Sequence, residues 1–253
     1  MNLNFKVFGA GEPVIILHGL FGMLDNWQTF AKALSSSHQV YIIDQRNHGK
    51  SLHSEEFSYP LIASDVATFL KSQHITAAHI IGHSMGGKTA MQFAHDYPQQ
   101  ALSLQVIDIA PIEYMASHLG IFNAIQSIDL DQLTNRKEAD LRLSEKISAV
   151  AIRQFLLKNL SRTSEGFSWK ANFSSLYKNY HNILGPLDLT HPIKLSSTFI
   201  YSTSSGYLEE KDIPYIQEYF PKATFVPLDA GHWIHAEKPN ELLTIIGDTL
   251  KKR

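Results

Sequence analysis

The stretch Ile80-Ile81-Gly82-His83-Ser84-Met85-Gly86-Gly87 carries Gly-x-Ser-x-Gly between a short apolar run and a helical pattern. A serine on a sharp strand-to-helix turn presents its hydroxyl above a sheet, and only glycine tolerates the crowding on either side of it. Such a triplet arises by chance in about one chain in twelve of this length, so its weight comes from its company. The same residues, Gly82 to Thr89, also read Gly-x4-Gly-Lys-Thr, a phosphate-cradling loop for which Asp108 would be the strand-end aspartate near magnesium. A nucleotide-binding loop has no use for an oxyanion loop upstream or a glycine-flanked histidine near the end, and this chain has candidates for both.

The upstream candidate is His18-Gly19-Leu20-Phe21-Gly22. Its glycines let the backbone bend so that the Leu20 amide, with the amide of Met85, can point at a developing oxyanion. The candidate base is His232, in Ala230-Gly231-His232-Trp233, ahead of a helix announced by Pro239. His235 could join it as a metal ligand, as could the pair His79 and His83, but no third ligand sits at useful spacing, so no metal and no cofactor are expected. The acid is less evident. Where it would follow the penultimate strand, Phe199 to Tyr207 offers only hydroxyls. Two candidates remain: Asp108, closing a buried strand at the edge where Ser84 emerges, and the cluster Glu209, Glu210 and Asp212, which reads as a solvated helix start. Asp108 is preferred. Asp44 to Ser51 reads as a loop that braces the site, and Ser175-x-x-Lys178 lacks the companion motifs that would make it catalytic.

These groups need a scaffold, and hydropathy supplies one. Apolar runs at Val14 to Leu17, Val40 to Ile43, His79 to Ile81, Leu102 to Ile107, Thr198 to Tyr201 and Thr224 to Val226 alternate with helical stretches such as Ser58 to Ser72 and Gly86 to Tyr97. That alternation predicts an α/β fold with a mostly parallel sheet flanked by helices. Leu3, Phe5 and Val7 alternate as a half-exposed strand, which Gly9-Ala10-Gly11 would turn back as a hairpin onto Val14 to Leu17. Residues 112–187 show no buried strand but helical spacing at Ile121, Ile125 and Ile128, at Ile147, Val150, Ala151 and Phe155, and around Phe173 to Tyr180. The expected organisation is a core of residues 1–111 and 188–253 with a helical cap insert at 112–187.

The 253 residues are 44% hydrophobic and 18% charged, which excludes disordered and fibrous classes. A net charge of −2 gives no whole-chain field for nucleic acid, so the expected partner is a small molecule; oligomeric state is not legible. The absence of cysteine removes disulfides, thiolate sites and a cysteine nucleophile. Near the start the longest strongly apolar run is Val14 to Leu17, far short of the roughly 20 residues of a membrane span or the 7 to 15 of a signal-peptide core, so a cytoplasmic location is the default expectation.

The order Ser84, Asp108, His232, with His18-Gly19, Asp44-x-Arg46-Asn47-His48-Gly49-x-Ser51 and Gly231-His232-Trp233, resembles the α/β-hydrolase superfamily across nearly the whole chain. More narrowly, His18 to Gly22, Gly82 to Lys88, Ile107 to Pro111 and Gly231 to Pro239 resemble the YbfF-type bacterial esterases. The resemblance implies a serine esterase acting on small acyl esters, with acyl-CoA thioesters as a further class, under a helical cap. It implies the acid at Asp108, and a serine, mapped to Ser205, standing where the usual acid would be and assisting the histidine. Here Tyr201-Ser202-Thr203-Ser204 is more hydroxyl-rich than the glycine-rich turn the resemblance leads one to expect. A serine nucleophile argues against the aspartate-based dehalogenase and epoxide hydrolase chemistries. Perhydrolase, lactonase, carbon–carbon bond hydrolase and non-catalytic receptor roles share the same framework. Phe122, Phe155 and Trp169 either line an apolar pocket or form the insert's own core, and Lys88 either meets an anionic substrate or supports helix packing.

Overall fold

The computed structural model describes residues 3–251. In chain order it holds β1 (Phe5–Phe8), β2 (Pro13–Leu17), α1 (Gln28–Leu34), β3 (Gln39–Ile43), α2 (Tyr59–Ser72), β4 (Ala78–His83), α3 (Met85–Asp96) and β5 (Ala101–Ile107). There follow α4 (Leu119–Gln126), α5 (Arg136–Ser144), α6 (Val150–Leu157), β6 (Leu160–Thr163), β7 (Gly166–Trp169), α7 (Phe173–Lys178) and α8 (Tyr180–Leu184). The chain closes with β8 (Ser197–Ser202), α9 (Ile213–Tyr219), β9 (Ala223–Leu228), α10 (Ile234–Glu237) and α11 (Pro239–Lys251).

Seven strands form one sheet in the order β1-β3-β2-β4-β5-β8-β9, parallel throughout except for β1. The inner strands read as continuous apolar runs because helices cover both faces. Alternate residues divide between two cores: Ile15 and Leu17 pack with α2 and α3, while Val14 and Ile16 pack with α1 and α11. Ser58 caps α2, accepting the Leu61 amide at 3.4 Å.

Two expectations are corrected. β1 does not pair with β2 as a hairpin; it runs antiparallel to β3, Phe5 opposite Ile43. Both edges of β2 are already taken by β3 and β4, so β1 lies on the outer edge of β3 and the turn at Gly9 carries the chain from there past β3 to β2. The stretch between β5 and β8 is helical as expected but also contains a hairpin, β6 with β7, Thr163 opposite Gly166. Neither strand is a buried run, since Arg162 and Thr163 are exposed and β7 is half-buried throughout, so the hairpin lacks the continuous apolar pattern of a buried strand. α5 carries no apolar period in the sequence, because only Ala139 and Leu143 of this charged segment are buried.

Candidate active site

Ser84 follows the last residue of β4 and precedes α3, with φ 53° and ψ −123°, a conformation that a non-glycine residue holds only under constraint. The flanking glycines supply that constraint. A Cβ on Gly82 would lie 2.1 Å from the Gly86 carbonyl oxygen, and one on Gly86 would lie 2.3 Å from that of Leu17. The elbow therefore closes only with glycine at both positions, and the N-terminus of α3 rests against the end of β2.

Three separate stretches meet here. The Ser84 hydroxyl lies 3.0 Å from His232 Nε2, and His232 Nδ1 lies 2.7 Å from Asp108 Oδ2. With the proton on Nδ1, the ring donates to the carboxylate and accepts from the serine. Asp108 is fully buried directly after β5 at φ 52°. Its other oxygen accepts the Ser202 amide and the Ser205 hydroxyl, both at 2.9 Å, so Ser205 reaches the histidine through the carboxylate. The Tyr207 amide in turn donates to the Ser205 hydroxyl at 3.2 Å. The rival cluster borders the same cavity as Ser84 but bonds within itself, while the His232 ring is taken by Asp108: Asp212 accepts the Glu209 amide at 2.9 Å, and Lys211 pairs with Glu209.

Gly19 passes so close to Ser84 that a Cβ on it would meet the serine Cβ at 3.2 Å. Leu20 lines two cavities with Ser84, and Met85 lines the larger of them. The oxyanion-loop candidate is braced from below. Gln45 donates its amide to His18 Nε2 at 3.1 Å, His48 Nε2 accepts the Phe21 amide at 3.3 Å, and Asn159 donates to the Phe21 carbonyl at 2.8 Å. Asp44 accepts the amides of Leu24 and Lys50 at 2.7 and 2.9 Å, and Arg46 grips buried Asp65 with two N–H groups at 2.7 and 2.9 Å. The loop from Asp44 to Ser51 therefore supports the site rather than facing it. Ser175 bonds the Ser54 carbonyl at 2.6 Å and Lys178 the Glu55 carboxylate at 2.9 Å, so this pair anchors α7.

Several neighbours were invisible in the sequence because only packing brings them here. The Tyr207 ring stacks on the His232 ring at 3.8 Å, and His83 donates to the His232 carbonyl at 2.8 Å. Burial above all lowers His118 and His235 to about 4 and holds His83 well below the usual imidazole value, each also feeling His232. These rings therefore stay neutral beside His232. His235 stacks flat on Trp27 at 4.5 Å, and His79 bonds Ser103 and Glu12 at the opposite end of β4 from His83, so the His79 and His83 rings do not converge. Glu12, His38 and His79 do gather at that opposite edge, their ligand atoms within 4.8 Å of one another.

Lys88 is buried, its ammonium donating to the carbonyls of Ile112, Leu184 and Gly185 at 2.7, 3.1 and 2.6 Å. Thr89 bonds the Met85 carbonyl within α3. A phosphate loop needs both side chains at its mouth, so the nucleotide reading fails. Phe122 is fully buried, touching Phe21 and Tyr180, whereas Phe155 lines the smaller cavity beside Trp233 and Trp169 packs on Phe173 away from Ser84.

A strand-to-helix serine hydrogen-bonded to a late histidine, over a parallel sheet, defines a class of protein. The chain belongs to the α/β hydrolase fold family, whose model matches residues 12–239. Within it, the chain is similar to "Esterase YbfF" of Escherichia coli (strain K12), 35% identical over 97% of this chain and 98% of that protein. It is also 36% identical to "sn-1-specific diacylglycerol lipase ABHD11" of Danio rerio, over 97% of this chain and 81% of that one. Among solved structures, "Marine microorganism esterase" matches with a TM-score of 0.95 and 42% identity, over 98% of each chain. Among the described residues no helix is long and apolar enough to cross a membrane.

Proposed function

We propose that this chain is a serine carboxylesterase hydrolysing small acyl esters, with acyl-CoA thioesters as a second class of acyl donor, through an acyl-enzyme. The observation that carries this is the continuous hydrogen-bonded path from Ser84 through His232 to Asp108. His232 takes the Ser84 proton as the hydroxyl attacks the carbonyl, and the amides of Leu20 and Met85 hold the oxyanion. Asp108 orients the ring and stabilises its charged form, with Ser205 fixing the carboxylate. His232 next protonates the leaving oxygen; water, activated by the same ring, then releases the acid and restores the Ser84 hydroxyl.

The two cavities support an orientation for the substrate. His232 lines the smaller one, about 290 Å³, with Phe155 and Trp233. Because the ring protonates the leaving alcohol, the alcohol belongs there, and the acyl chain extends into the larger space of about 500 Å³ beside Ile112, Tyr114, Ile183 and Leu184. Both spaces take walls from residues 112–187, which supports a cap role for that insert over the core of residues 1–111 and 188–253.

The test is labelling of Ser84 by a fluorophosphonate, with turnover of p-nitrophenyl esters from two to sixteen carbons and of acyl-CoAs. Labelling abolished by Ser84→Ala together with ester turnover is the expected result. A chain that neither labels nor turns over any ester would be a receptor on this fold and not an esterase.

A further inference from the structure

We propose that the Lys88 ammonium is the clasp that fastens both ends of the 112–187 insert to the helix carrying the nucleophile, and so fixes the wall of the acyl cavity. Lys88 stands on α3 four residues beyond Ser84, so it is rigidly coupled to the elbow. Its side chain is 1% exposed. An ammonium has three N–H donors and no acceptor; here all three are spent on carbonyls, leaving none for an anionic substrate. The acceptors come from opposite ends of the insert: Ile112, where the chain has just left β5, and Leu184 and Gly185, where α8 ends. The last carbonyls of a helix have no partner within it, and Lys88 supplies one.

The two ends are also tied to each other. The Tyr114 amide donates to the Leu184 carbonyl at 3.0 Å and the Leu187 amide to the Pro111 carbonyl at 3.1 Å. Tyr114 and Tyr59 present their rings to the ammonium at 4.8 and 5.7 Å, and the Tyr59 hydroxyl donates to the Ile183 carbonyl at 2.7 Å. Burial lowers the Lys88 amine to about 7, with Glu113 drawing it back up. A charge so desolvated persists only where its partners are close and numerous. The residues pinned in this way, Ile112, Tyr114, Ile183 and Leu184, line the larger cavity, so the clasp sets where that wall stands relative to Ser84.

This assignment of the wall to the acyl chain rests on the esterase reading; the clasp itself does not. The experiment is Lys88→Met, which keeps the length of the side chain and removes its donors. Hydrogen exchange at the Tyr114 and Leu187 amides is expected to rise tenfold or more above that of β4 and β5 amides. The ratio of kcat/KM for p-nitrophenyl octanoate to that for the acetate is expected to fall at least tenfold, mostly through KM. Lys88→Gln, which retains amide donors, is expected between wild type and Lys88→Met, and carries the same comparison if the methionine variant does not fold. Unchanged exchange at the two amides overturns the clasp. Equal losses on both esters overturn its link to the acyl cavity. Absence of turnover in the wild type would sink the esterase reading while leaving the exchange result to judge the clasp.

Discussion

Asp108 concentrates the demands of the site on one side chain. One oxygen holds the His232 ring and the other is held by Ser202 and Ser205, so the carboxylate can neither turn nor face water. Asn at this position offers the ring an amide donor and selects the wrong tautomer. Asp108→Asn is therefore expected to lower kcat by about 10⁴, as read with p-nitrophenyl acetate; near-normal turnover would remove Asp108 from the mechanism. Ser205→Ala leaves the ring contact intact and deletes one hydrogen bond to a charged group. Such a bond is worth about 1.5 kcal/mol, so a fall in kcat of roughly tenfold is expected, with little change in KM. A loss as large as that of Asp108→Asn would mean that Ser205 does more than hold the carboxylate.

The elements place these side chains through contacts that allow no alternative residue. A Cβ on Gly86 would meet two backbone carbonyls, those of Leu17 and His18, and Leu17 cannot move aside without parting β2 from Ile43 and Gly82 of its neighbours. Gly86→Ala is expected to cost about 3 kcal/mol, the upper range for overpacking, and to abolish turnover; urea unfolding would measure the first. Below the His18–Gly22 loop, the Arg46–Asp65 pair ties the loop after β3 to α2. Breaking a buried pair from one side costs about 3–5 kcal/mol because the other charge is stranded. Arg46→Met should therefore lower the urea midpoint sharply, and a shift near zero would show that the pair contributes nothing net.

For the molecule as a whole, a group of buried histidines links folding to pH. Burial holds His18, His118 and His235 near 4 and His48 near 3, and keeps His83 well below the usual value. These values are depressed relative to about 6.5 in the unfolded chain, so between pH 6.5 and 4 the unfolded state binds protons that the native state refuses. Their contribution to stability is complete above pH 6.5 and is lost as pH falls toward 4. The urea midpoint is expected to drop steadily over that interval. A flat profile from pH 7 to 4.5 would show that these rings are not held neutral.

Much of the core, and the residues that meet at the candidate site, were legible in the sequence, because local patterns encode local needs. The runs Val14 to Leu17 and Val40 to Ile43 announce strands buried on both faces, and Gly82-x-Ser84-x-Gly86 announces a turn whose crowding excludes side chains. What the sequence left open was partnership. Whether Lys88 met a substrate or the backbone, which strand β1 would join and whether Phe122 lined a cavity depend on groups tens to more than a hundred residues away. Residue type and spacing carry no record of such distances, so those choices were made only when burial and hydrogen bonding across the folded chain selected one neighbour from many.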